Sequence, residues 1–122
     1  MTVVVSSAGH PPPFVCGREP RLLQVPPAAP LWAGRGPFHE AAFALENGET
    51  LVMYTAGLTE ARRGTEMFGE QGVHRQLAGA GAMDLQEVVD ALVSSATTFA
   101  GGHLADDLVV IAVRPDSDDT AG

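Results

Sequence analysis

The chain has 122 residues, of which 45% are hydrophobic and 18% charged, and 15 acidic residues against 7 basic ones give a formal net charge of −8. This is the composition of one globular domain whose core hides about two thirds of the unfolded surface, and it excludes a disordered chain. All the basic residues are arginine, and so acidic a balance excludes general nucleic-acid binding and docking on anionic membrane, both of which need a basic face.

An acidic balance still permits divalent cations and basic partners. The longest apolar runs, such as Leu108 to Val113, are too short to span a bilayer. The first residues lack the basic start and long apolar stretch of a signal peptide, so a cytoplasmic location is the simplest expectation. The lone Cys16 excludes an internal disulfide framework and a cysteine-based zinc site.

In chain order, Val3-Val4-Val5 predicts a buried strand. Pro11-Pro12-Pro13 and Pro26-Pro27 with Pro30 predict turns, since proline lacks a ladder donor. Phe14 to Cys16 and Arg21 to Val25 predict two strands of a hairpin around Gly17. Trp32 reads as a packing plug or a partner anchor, and 34–37 as a loop. Ala41 to Leu45 and Thr50 to Thr55 flank Asn47-Gly48, a pair that tolerates positive φ and so predicts a hairpin.

Leu51-Val52-Met53-Tyr54 is apolar throughout and predicts a strand covered on both faces, hence a layered fold. Gly69 to Leu77 is a short helix candidate. Residues 84–100 form the strongest helix: Leu85, Val88, Val89, Leu92, Val93, Ala96 and Phe99 make one stripe. Asp84 with Glu87 predicts a capping box at its start, and Gly101-Gly102 its end. Leu108 to Val113 predicts a final buried strand, and 116–122 a flexible tail. The order of strands, helices and a returning strand predicts an α+β fold with a mainly antiparallel sheet.

Three segments at the ends of these strands suit chemistry, because a strand end is a rigid platform for a reactive loop. They are Ala8-Gly9-His10-Pro11-Pro12, Tyr54 to Arg62, and Asp106-Asp107. Adjacent carboxylates favour a cation beside them, but the pair's chemistry alone reads first as an acidic turn in which Asp106 caps backbone and Asp107 is solvated. His10 reads as a loop hydrogen-bonding residue or a catalytic one, and Glu60 with Arg62 as a surface pair on a short helix or part of a site.

Taken in order, these segments resemble one family. Ser7-Ala8-Gly9-His10-Pro11-Pro12 is similar to an Asn-Ala-Gly-His-Pro-Pro motif. Residues 54–62 match Tyr-Thr-Asp-Gly-Leu-Thr-Glu-Ala-Arg at eight of nine positions, and Phe68-Gly69 and Asp106-Asp107 follow as expected. The chain thereby resembles, over roughly residues 3 to 114, the C-terminal part of the PPM family of metal-dependent protein phosphatases, in the bacterial stage II sporulation protein E-like branch. The resemblance implies part of a four-layer α-β-β-α sandwich over residues 1–115. It implies two Mn or Mg ions whose bridging water attacks phosphorus in line. The implied substrate is phosphoserine or phosphothreonine on a regulatory protein such as an anti-sigma-factor antagonist.

By the same resemblance Asp106 is the surviving metal position, with Asp107 and His10 beside it, and Gly57 and Glu60 lie in a site loop. The departures are as informative. Ala56 stands where the family has a metal-binding Asp, no Gly-Asp-Val segment with the carboxylate shared by both metals occurs, and Val109 replaces a common threonine. One carboxylate is a poor site for Mn or Mg. The expectation is a chain impaired in isolation, or a non-catalytic phosphoprotein-binding module. With only one good helix to cover its strands, it is expected to dimerise, bind a complementary half or aggregate.

Overall fold

The computed structural model describes residues 1–6, 10–17, 19–25, 40–104 and 106–115. The expectations for Ser7 to Gly9, Trp32, the prolines at 26, 27 and 30, the loop at 34–37 and the tail at 116–122 lie outside these residues.

Among the described residues the elements run β1 (Thr2–Ser6), β2 (Phe14–Cys16), β3 (Arg21–Leu22), β4 (Glu40–Ala44) and β5 (Thr50–Tyr54). Then come α1 (Ala56–Thr59), a small hairpin of β6 (Arg62–Arg63) and β7 (Glu66–Met67), α2 (Gly69–Leu77), α3 (Leu85–Phe99) and β8 (Val110–Val113). The main sheet has the order β3-β2-β5-β8 and is antiparallel throughout, while β1 and β4 form a separate antiparallel pair.

The all-apolar run of β5 belongs at the middle of the main sheet, where both faces are covered. Toward the helices, Phe14, Cys16, Val52 and Tyr54 meet Leu58, Val73, Leu77, Val88, Leu92 and Ala96 in the larger core. On the other face Val15 and Leu51, with Leu23 and Leu45, pack against Val3, Phe43 and Met53 in a smaller core beneath the β1–β4 pair. The described layers are therefore helices, main sheet and second sheet, in the mixed antiparallel class that the sequence predicts.

Both helices match their expected spans. The start of α3 carries the full capping box: the Glu87 N–H donates to Asp84 Oδ1 at 2.9 Å, and the Asp84 N–H donates to Glu87 Oε1 at 3.0 Å. Of its stripe, Val88, Leu92 and Ala96 are buried while Leu85 is exposed at the entry turn.

Four strand expectations are corrected. The Asn47-Gly48 turn forms, with Gly48 at φ +88° and the Glu49 N–H donating to the Glu46 carbonyl at 3.0 Å, but its flanks do not pair. Instead the turn carries the chain from one sheet to the other: β4, covered on one side only, lies in the outer sheet and β5, buried on both, in the inner one. The strand at Val3-Val4-Val5 is not buried: Val4 is 59% exposed, on the face turned away from the smaller core. The strand expected over Leu108 to Val113 is shorter and, among the described residues, lies at an edge, with Val109 and Ile111 about half exposed. Finally, β3 stops at Leu22: the Leu23 N–H still donates to the Pro13 carbonyl at 2.8 Å, but proline has no N–H to return the bond.

Candidate functional site

Antiparallel pairing explains why three distant segments meet. β5 lies between β2 and β8 and runs opposite to both, so its end stands beside the start of each neighbour: Phe14 faces Val52, and Val110 faces Tyr54. The segment before β2 (His10 to Pro13), the turn after β5 (Thr55 to Glu60) and the lead-in to β8 (106–109) therefore share one end of the sheet. These are the three places that the sequence singles out.

Side chains fasten the segments together. The Tyr54 hydroxyl donates to the Pro12 carbonyl at 2.8 Å, tying the proline segment to β5. Thr55 is the N-cap of α1, but its side chain does not cap the helix. Its Oγ1 donates to the Asp107 carbonyl at 3.1 Å and accepts from the Val109 N–H at 3.0 Å, while its own N–H donates to the Val109 carbonyl at 3.0 Å. Gly57 closes the contact from the other side: a Cβ placed there would overlap the Asp107 carbonyl and come within 3.3 Å of the Asp106 carbonyl oxygen. No other residue fits, so the glycine is set by close backbone approach.

Beside this clamp lies an open groove of about 280 Å³, bordered by Val5, His10, Pro11, Tyr54, Thr55 and Ile111. His10 is exposed at its rim. Burial pushes the Tyr54 phenol well above its usual value, and the negative charge of Glu70 pushes it further, so this hydroxyl stays protonated and donating. Burial likewise pushes the Cys16 thiol up, and a buried thiol held protonated is not a nucleophile.

The donor set decides what the site can hold. Asp106 and Asp107 are both exposed, and Asp106 Oδ1 accepts from the Asp107 N–H at 2.8 Å. That is the acidic-turn geometry, with one carboxylate oxygen engaged by backbone. Ala56 opens α1 next to Gly57 and so flanks the 106–107 backbone, but offers only a methyl group. Glu60 sits at the far end of α1, exposed, its N–H bonded to the Ala56 carbonyl at 2.8 Å. Among the described residues, no group of three or more His, Cys, Asp or Glu stands together as a metal site would require. A pair of hard divalent ions needs several fixed carboxylates, and the residues present do not fit it.

Glu60 and Arg62 do not share a helix. Arg62 opens β6, and the ion pair in this hairpin is Arg63 with Glu66 at 3.9 Å, Arg63 also lying over the Phe99 ring at 4.6 Å. Sequence reasoning missed the roles of Tyr54 and Thr55. The available signal was a hydroxyl residue at a strand end directly before a glycine-containing helix start, where backbone groups lack partners.

Comparison with known proteins follows the same lines. A family model described as "Stage II sporulation protein E (SpoIIE)" matches residues 1–116. No curated protein matches the chain. Among solved structures, the Mn-presoaked phosphatase domain of the cell fate determinant SpoIIE from Bacillus subtilis is 22% identical, with a TM-score of 0.77 over 95% of this chain and 51% of that one. The SiaA-PP2C domain of Pseudomonas aeruginosa is 20% identical, with a TM-score of 0.68 over 86% of this chain and 43% of that one. A structure of the RsbU and RsbW domains of Rv1364c from Mycobacterium tuberculosis is 25% identical, with a TM-score of 0.66 over 93% of this chain and 33% of that one. The fold is thus that of PP2C phosphatase domains, and the chain spans about half of the first of these structures and less of the other two.

Proposed function

The chain belongs to the stage II sporulation protein E family, and from that premise we propose that it is the C-terminal part of a PP2C-type protein serine/threonine phosphatase domain whose own side chains do not complete the metal site. One observation carries this: position 56, between Thr55 and Gly57, both of which contact the Asp107 backbone, is an alanine where the family pattern has a carboxylate. The chain as it stands does not turn over phosphoesters. The complete domain would use Mn or Mg, and its substrate would be phosphoserine or phosphothreonine on a cytoplasmic regulatory protein such as an anti-sigma-factor antagonist. The likeness to a structure that carries RsbU and RsbW domains supports that partner class.

A second reading has its own support. The clamp of Thr55, Gly57 and the 106–109 backbone and the tie from Tyr54 to Pro12 persist although the carboxylate at position 56 is gone. A scaffold kept in order without its metal donors suits a non-catalytic module that binds phosphoproteins.

A phenyl-phosphate reporter assay with Mn tests the proposal. We expect no hydrolysis above background from the isolated chain. Turnover that tracks the purified protein and disappears with chelator would overturn it.

A further inference from the structure

We propose that the cleft between α2 and α3, on the outer side of the helical layer, binds a phosphorylated serine or threonine side chain of a partner protein, with Arg75 as its anchor. This gives the phosphoprotein-binding reading a place apart from the metal-site end of the sheet, and it rests on that reading only for the anion's arriving on a protein.

The two helices bury Val73, Leu77, Val88, Leu92 and Ala96 in the larger core. The seam on their other side is an open groove of about 370 Å³, bordered by Arg75, Gln76, Ser94, Ser95, Thr98 and Phe99. Ser94 and Thr98 stand four residues apart, as do Ser95 and Phe99, so all four share one side of α3. Arg75 and Gln76 come from the last turn of α2.

The floor is built firmly. Phe68 folds its ring over Gly72, where a Cβ would meet it at 2.7 Å, and stands edge-on to Phe99 with the ring centroids 5.8 Å apart. The guanidinium of Arg63 covers Phe99 at 4.6 Å. The Phe68-Gly69 motif, which has no part in the metal-site end, thus finds its role beneath this cleft.

The chemistry of the lining points to an anion. One arginine, one amide and three hydroxyls line it, and no carboxylate does, on a chain whose net charge is −8. Among the described residues Arg75 makes no ion pair or side-chain hydrogen bond, and neither do the hydroxyls of Ser94, Ser95 and Thr98. Thr97 beside them differs, donating its Oγ1 proton to the Val93 carbonyl at 2.7 Å. Glu70 lines a neighbouring groove that shares Arg75, without pairing to it. The carbonyls at the end of α3 do not oppose an anion here, since the Ala100, Gly101 and Gly102 N–H groups donate to those of Ala96, Thr98 and Thr97.

A carboxylate would use few of these donors. A phosphate monoester offers three terminal oxygens and about two negative charges at neutral pH, which suits a guanidinium fork facing a row of hydroxyls. The groove far exceeds a phosphate group and is open along the seam, so it has room for the residues on either side of a phosphorylated one.

Amide NMR of the whole chain at low salt, with three probes, tests this: a blocked Ala-phosphoserine-Ala tripeptide, its unphosphorylated form and inorganic phosphate. The phosphotripeptide is expected to give saturable shifts at Ser94, Ser95, Thr98 and the Arg75 Nε–H with millimolar affinity. The unphosphorylated form should give none, and inorganic phosphate should bind the same residues severalfold more weakly. Arg75→Ala should weaken the phosphotripeptide at least about tenfold, and Ser94→Ala with Thr98→Val severalfold. Arg21→Ala, which removes an exposed arginine paired with Glu49 elsewhere on the chain, should change nothing. No saturable shift, indifference to Arg75→Ala, an equal loss in Arg21→Ala, or inorganic phosphate binding as tightly as the phosphotripeptide would each overturn the proposal. Saturable shifts confined to Thr55, Asp107 and Val109 would overturn the cleft and leave the phosphoprotein-binding reading standing. The phosphatase reading falls only if the isolated chain shows metal-dependent turnover.

Discussion

Gly57 is the tightest point of the site. A methyl group there meets the carbonyl carbon of Asp107 at 2.9 Å and overlaps its oxygen, and backbone cannot swing aside as a flexible side chain would. We expect Gly57→Ala to destabilise the chain by about 2–3 kcal/mol and to expose the Val109 amide to exchange, because the Thr55 clamp opens with it. Denaturant unfolding and amide exchange check both. Tyr54 supplies a pH signature. Its phenol titrates above the ordinary value of 10 in the folded chain, chiefly through burial. As pH rises past about 10, the unfolded chain sheds a proton that the folded one keeps, so stability is full below that pH and falls above it. The raised Cys16 thiol acts in the same direction from about pH 9. Tyr54→Phe should therefore flatten, without abolishing, the alkaline fall in melting temperature. At neutral pH it should cost about 1 kcal/mol, the bond to the Pro12 carbonyl being lost.

The helix α3 was legible because its causes are local. An apolar stripe at helical spacing, an Asp-x-x-Glu start and a double glycine end lie within 19 residues, from Asp84 to Gly102. Asp84→Ala removes the bond that the Glu87 N–H makes to Asp84 Oδ1 and leaves the backbone N–H of position 84 free to bond Glu87 Oε1. It is expected to cost about 1 kcal/mol, read as a fall in melting temperature of about 4 °C. Strand pairing was less legible, because partners are chosen across the whole chain. Asn47-Gly48 specifies a turn equally well whether the flanking strands pair or part, and here they part because β5 finds better burial between β2 and β8. The apolar run before Arg114 reads as doubly buried, yet among the described residues β8 has one neighbouring strand, and nothing within the run itself signals an edge. The site segments were legible as motifs at strand ends. The Thr55 clamp was not, since its three bonds join residues 52 to 54 positions apart.

Across the molecule, the described residues form a helical layer, a four-stranded main sheet and two strands of a second sheet, in the fold of PP2C phosphatase domains. The end of the sheet where the three loops converge is well built, but the donor set there is poor. The proposed function joins these two facts: on that reading the scaffold holds its shape for chemistry that its own side chains do not supply. Calorimetric titration of Mn into the wild-type chain and into Ala56→Asp tests this most directly. Position 56 adjoins Gly57, which lies against the 106–107 backbone, and on the proposed reading a carboxylate at 56 joins Asp106 and Asp107 in one cluster. The account predicts no saturable site in the wild type up to millimolar Mn and a measurable one in Ala56→Asp. Tight Mn binding by the wild type, or no gain on restoring the carboxylate, would contradict it.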